Sequence, residues 1–144
     1  MNTVAKLARQ SVGVVLSAVL LAGCANMGAT GSIQVTLSGG QEVPPVTTAA
    51  TGSGTITVGS DMSVSGAVTT AGLVGVAAHI HDGAAGKNGP VIIPLTKTSD
   101  NAWSVPAGAK FTNAQYESYK AGNLYINVHT VANKGGEIRG QLKP

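Results

Sequence analysis

The chain has three histidines, and two of them stand one residue apart. His79 and His81 lie in Val76-Ala77-Ala78-His79-Ile80-His81, and His129 ends Leu124-Tyr125-Ile126-Asn127-Val128-His129. In an extended strand, residues i and i+2 project from one face about 7 Å apart. Two imidazoles so placed can turn toward one ion, at metal–nitrogen distances of about 2.0–2.1 Å. A third histidine from a neighbouring strand would complete a three-nitrogen set. Such a set suits zinc or copper and leaves a position open for water or substrate. The one cysteine, Cys24, stands far to the N-terminal side, and Met62 falls in an apolar row. Copper(II) or zinc therefore fits this donor set better than copper(I). The competing reading is plain: three polar residues on the wet face of a sheet, with His129 in a hydrogen-bond network with Asn127 and Thr130.

The elements that must position these residues show a period of two. Ile33, Val35 and Leu37 alternate with polar residues, as do Ile56 and Val58. Met62, Val64, Gly66 and Val68 continue the pattern after a break at Gly59-Ser60-Asp61, which predicts a hairpin. In the histidine strands, Val76, Ala78 and Ile80 share one face, and Leu124, Ile126 and Val128 share another. All three histidines fall on the opposite faces, with Ala77, Tyr125 and Asn127. Val91 to Leu95 and Trp103 to Val105 predict further short strands. In residues 137–142, Ile138 and Leu142 are expected to face in, and Glu137, Arg139 and Gln141 to face out. Thr112 and Gln115 have the spacing of a capping box, and Gly122 supplies a stop, so one short helix is expected over 112–121. Tyr116 and Tyr119 would share one of its faces and pack. The fold class is all-β: an antiparallel, Greek-key-like β-sandwich with one short helix.

Asp82, Asn127 and Glu137 are the polar residues expected to border a histidine site. Asp82 could accept an imidazole N–H, though before Gly83 it is also a natural turn residue, the favoured reading. Glu137 could pair with Arg139 or lie on a solvated face, and the solvated face is favoured. Glu42, before Pro44-Pro45, could anchor a loop or face a ligand. Gly83, Gly86 and Gly89 make residues 83–89 a tight loop beside His81, the expected rim of any site.

Other chemistry has little support. No serine sits in a nucleophile elbow, and no carboxylate pair stands out for glycoside hydrolysis. The aromatic residues are five in number, too few for a stacking platform. The pI of about 9.2 misleads. Without Lys6 and Arg9, seven basic residues face six acidic ones, and that balance gives no footprint for nucleic acid.

Lys6 and Arg9 precede an apolar run from Val12 to Leu21, shorter than the roughly 20 residues of a membrane span. This is the pattern of a secretory signal. It ends in Leu21-Ala22-Gly23-Cys24, which resembles a bacterial lipobox. The resemblance implies removal of residues 1–23, a diacylglycerol on Cys24 and a membrane anchor at the cell envelope. Ala25, rather than an aspartate, implies the outer membrane by the enterobacterial sorting pattern. Residues 24–31 then form a lipidated tether, and 32–144 a single domain with no disulfide.

Four motifs, in this order, carry a family resemblance: Gln41-Glu42-Val43-Pro44-Pro45, the run from Ala78 to Val91, Ala121 to Thr130, and Gly135 to Leu142. Together they resemble the CHRD domain, named after chordin and common in secreted bacterial proteins. The resemblance implies an extracytoplasmic β-sandwich and no particular reaction. A fainter likeness is to copper–zinc superoxide dismutases. There a strand His-x-His and a later strand histidine bind copper, the places His79, His81 and His129 would fill. The chain has no histidine left for their bridging ligand and lacks their disulfide. The expected function is thus a binding module for one copper or zinc ion. The alternatives are a metal-free module that holds an envelope protein and, last, a dismutase-like or oxidase-like metalloenzyme.

Overall fold

The computed structural model describes residues 31–144. The expectations for the signal, the lipidated Cys24 and the tether to residue 30 lie outside the described residues. Among the described residues nine strands form one antiparallel sheet: β1 (Gly31–Ser38), β2 (Thr51–Val58), β3 (Val64–Ala71), β4 (Ala77–Asp82), β5 (Val91–Pro94), β6 (Thr96–Ser99), β7 (Ala102–Ser104), β8 (Leu124–His129) and β9 (Ile138–Leu142). Among the described residues one α-helix, α1 (Asn113–Lys120), sits between β7 and β8. No helix among the described residues is long and apolar enough to cross a membrane.

The strand order is β5-β4-β8-β9-β1-β2-β3-β7-β6. Its two ends, β5 and β6, are separated in sequence by Leu95 alone, so the sheet must curl until its edges meet. The Leu95 amide donates to Ala78 O and carries the β4–β5 ladder to the corner, and Lys97 Nζ of β6 donates to Gly75 O, just before β4, across the seam. The result is an all-β sandwich curled nearly to closure. It encloses one apolar core in which Leu37, Ile56, Val68, Ile80, Leu124, Ile126, Val128, Ile138 and Leu142 are fully buried. These are the period-two rows, and their burial is the main stabilising term.

The capping box forms as expected: Gln115 N donates to Thr112 Oγ1, and Thr112 N donates to Gln115 Oε1. Tyr119 buries against the core, with Tyr116 stacked on it. Two strand expectations need correction, and one strand is new. Met62 is not in a strand; its φ of 66° places it in the turn. There Asp61 Oδ1 accepts from both the amide and the hydroxyl of Ser63, which holds the chain in a tight loop until Val64. Val76 is exposed and precedes β4. β6 was not expected at all, because Thr96-Lys97-Thr98-Ser99 has no apolar row to reveal it.

The largest correction concerns the outer face of β4, β8 and β9. Arg139, expected to face water, is 1% exposed, Asn127 and Tyr125 are 2% exposed, and His81 is 7% exposed. They do point away from the apolar core. Three loops fold over them, from residues 39–46, 83–90 and 130–137, and make a second, polar interior. Asn88 Nδ2 donates to Val43 O and ties the first two loops together.

Candidate metal centre

Strand register builds this polar layer in rows. Ala77 pairs with His129, His79 with Asn127 and His81 with Tyr125 across β4 and β8. Asn127 and Tyr125 pair in turn with Arg139 and Gln141 of β9. His79, Asn127 and Arg139 thus lie side by side, with strand spacings of about 4.8 Å. His81 is positioned further by a bulge: Ile80 pairs with Ile93 but His81 with Val91, which leaves Ile92 as the extra residue of β5. Bulges of this kind re-aim a neighbouring side chain.

The three imidazoles converge. One ring nitrogen from each of His79, His81 and His129 falls within 4.8 Å of the others. The loops decide which nitrogen is available. His81 Nδ1 donates to Gly89 O at 2.9 Å, and His129 Nδ1 donates to Lys134 O at 2.9 Å. A ring nitrogen that donates carries the proton, so each Nε2 keeps its lone pair in the neutral ring. His79 Nδ1 lies 3.0 Å from His129 Nε2 and must be the donor to it. Backbone carbonyls that fix the tautomer of an imidazole are the usual support for metal-binding histidines. Gly89 is essential to this support. It approaches β4 so closely that a Cβ there would overlap the Asp82 carbonyl.

Burial lowers the pKa of His79 and of His81, and the neighbouring imidazoles lower both further. Both shifts favour the neutral rings of His79 and His81, the form a ligand must have. His81 stacks face to face on Tyr125 at 4.7 Å, and the Arg139 guanidinium lies over the other side of that ring at 3.4 Å. Arg139 also donates to Ala84 O and Gln141 Oε1.

Of the bordering residues, Asn127 is brought into the cluster and the two carboxylates are engaged elsewhere. Asp82 Oδ2 accepts from Ser118 Oγ and so ties β4 to α1. Glu137 accepts from Thr48, Thr130 and Asn133, and it closes the 130–137 turn that carries Lys134 O. It does not pair with Arg139. Glu42, an ambiguous loop residue in the sequence, belongs to this layer. It reaches down from the 39–46 loop, is 4% exposed, and has its pKa raised to about 7 by burial, against the opposing pull of Arg139 and Asn127. Tyr125 and Arg139 gave no sequence signal of a place in this layer, because both sit on a face whose cover comes from distant loops.

The CHRD domain family model matches residues 33–142. The chain belongs to the CHRD domain family. No curated protein and no solved structure gives a significant match. The match spans β1 to β9, so the whole histidine cluster lies within the CHRD domain itself.

Proposed function

We propose that this CHRD domain binds one divalent transition-metal ion, zinc or copper(II), through His79, His81 and His129, and that it holds the ion rather than turning over a substrate. The observation that carries the reading is the convergence of three ring nitrogens within 4.8 Å, two of them on rings whose tautomers are set by Gly89 O and Lys134 O. A lipid on Cys24 would keep the domain at the cell envelope, on the outer membrane. The test is calorimetric titration of the full chain in mild detergent with zinc and copper(II), beside His79→Ala, His81→Ala and His129→Ala. One-to-one binding that each variant loses is the expected result, with a melting temperature that rises with metal only in the wild type. No saturable binding would end the reading.

A second reading, a metal-free module for an envelope protein, has one observation in its favour. Val74 and Val131 are 79% and 75% exposed and border one shallow cleft with Leu73 and Ala132. Apolar side chains gathered on a surface are a feature of interaction sites. A dismutase-like or oxidase-like activity comes last. It requires turnover that disappears with the histidines.

A further inference from the structure

Two electron-pair donors are buried in the polar layer with no proton to accept. His81 Nε2 and Asn127 Oδ1 are both fully buried, and neither has a hydrogen-bond partner among the described residues. The orientation of each group is fixed independently. His81 gives its Nδ1 proton to Gly89 O, so Nε2 is a bare lone pair. Asn127 Nδ2 donates to Gly135 O at 3.2 Å, and the same amide group lies against Glu42, which leaves Oδ1 on the opposite side. The Asn127 amide is close enough to His81 to raise its basicity, yet no hydrogen bond of ordinary geometry joins them. Two buried acceptors with no donor between them each carry an uncompensated desolvation cost. A cation satisfies both at once.

Asn127 also stands in the right place. It is directly opposite His79 in the β4–β8 register and two residues from His129 on the same face of β8. Its contact with Glu42 would polarise the amide and make the oxygen a better donor, as hydrogen-bonded partners do for other ligands. We infer that Asn127 Oδ1 is the fourth ligand of the ion, so that the centre is an N3O set supplied wholly by the protein. This rests on the three-histidine reading above and extends it. A site whose four positions are all filled by side chains is of the structural kind, since catalytic sites keep one open. The mixed nitrogen–oxygen set favours zinc or copper(II) over copper(I).

The experiment uses cobalt(II) as a visible probe, bound to the full chain in mild detergent, with Asn127→Leu and Asn127→Asp beside the three histidine variants. In the wild type the intense bands of four-coordinate cobalt are expected, unchanged by added azide. Asn127→Leu should weaken binding at least tenfold and make the spectrum sensitive to azide, which takes the vacated position. Asn127→Asp should keep binding and shift the bands, because an anionic oxygen replaces a neutral one. That shift guards against the case in which the leucine variant merely fails to fold. If the histidine variants abolish binding but azide already alters the wild-type spectrum, or Asn127→Asp leaves it unmoved, the fourth ligand is not Asn127 and the three-histidine reading survives. If the wild type takes up no cobalt, both fall.

Discussion

His79 Nδ1 donates to His129 Nε2 across 3.0 Å, and the direction of that bond is set on the far side of the second ring, where His129 Nδ1 donates to Lys134 O. The metal-free cluster is therefore closed by an imidazole–imidazole hydrogen bond between two of the rings that would bind the ion. An ion seated among the three rings must break that bond. Nitrogen-15 NMR of the ring nitrogens should report Nδ1–H tautomers for all three histidines without metal. On zinc addition, His81 and His129 should keep theirs, while the His79–His129 bond signal disappears. Persistence of that signal at saturating zinc would place the ion elsewhere.

The lowered pKa values of His79 and His81 make a prediction about acid. A folded-state pKa below the ordinary 6.5 means that the unfolded chain takes up protons first as pH falls. Their contribution to stability is thus fully present above about pH 6.5 and is lost as pH drops below it. Each group adds a slope of up to about 1.4 kcal/mol per pH unit inside its window. Urea midpoints measured from pH 8 to pH 5 in metal-free protein should fall, and the fall should be shallower in His79→Gln/His81→Gln.

Glu42 acts with the opposite sign. Its folded pKa of about 7 lies above the ordinary 4.5, so the folded protein holds its proton more tightly. That contribution is present below about pH 4.5 and is lost as pH rises through 7, where a buried carboxylate must ionise. Glu42→Gln should therefore match the wild type near pH 4.5 and be more stable at pH 8, by about 1–3 kcal/mol. A stability difference that does not grow with pH would show that Glu42 is already ionised and well paired in the fold.

Most of the fold could be read from alternation because the inner face of the sheet is almost wholly apolar, from Ile33 to Leu142. The capping box was legible for the same local reason: Thr112 and Gln115 answer each other within one turn. The histidines were legible as a set because β4 and β8 are neighbours and the period of two fixes their face. What alternation cannot show is a cover. Arg139 and Asn127 read as solvated because they oppose an apolar row, and only the return of loops 39–46, 83–90 and 130–137 buries them. Those loops are rich in glycine and, apart from the Glu42 carboxyl, bring backbone carbonyls to the polar layer. Gly83 O, Ala84 O, Gly89 O, Lys134 O and Gly135 O each accept from a side chain of β4, β8 or β9. A backbone acceptor leaves no trace in residue type.

The helix cap offers a test that is independent of the metal. Thr112→Ala removes the acceptor for Gln115 N while leaving the polar layer untouched. It should cost about 1 kcal/mol in urea unfolding, with metal affinity unchanged. A change in affinity would mean that α1, through Ser118 and Asp82, sets the geometry of β4 more strongly than these contacts imply.

Gly136 is where fold and site meet. Its φ of 132° is one that other residues rarely adopt, and a Cβ there would overlap Glu42 Oε1 and Asn127 Nδ2. The glycine is what lets the 39–46 loop and the 130–137 turn close over the same amide. Gly136→Ala must displace Glu42, tilt Asn127 or shift the turn that carries Lys134 O and Gly135 O. A destabilisation of about 1–3 kcal/mol follows from the strained backbone alone. Zinc affinity should fall as well, although no ligand has been changed, because the carbonyl that fixes the His129 tautomer moves with the turn. Gly135→Ala is the control: nothing lies within 4 Å of a Cβ at that position. It should leave both stability and affinity close to wild type. If Gly136→Ala loses stability but binds zinc as tightly as Gly135→Ala, the histidines hold their geometry without the turn, and the Lys134 carbonyl is dispensable to the centre.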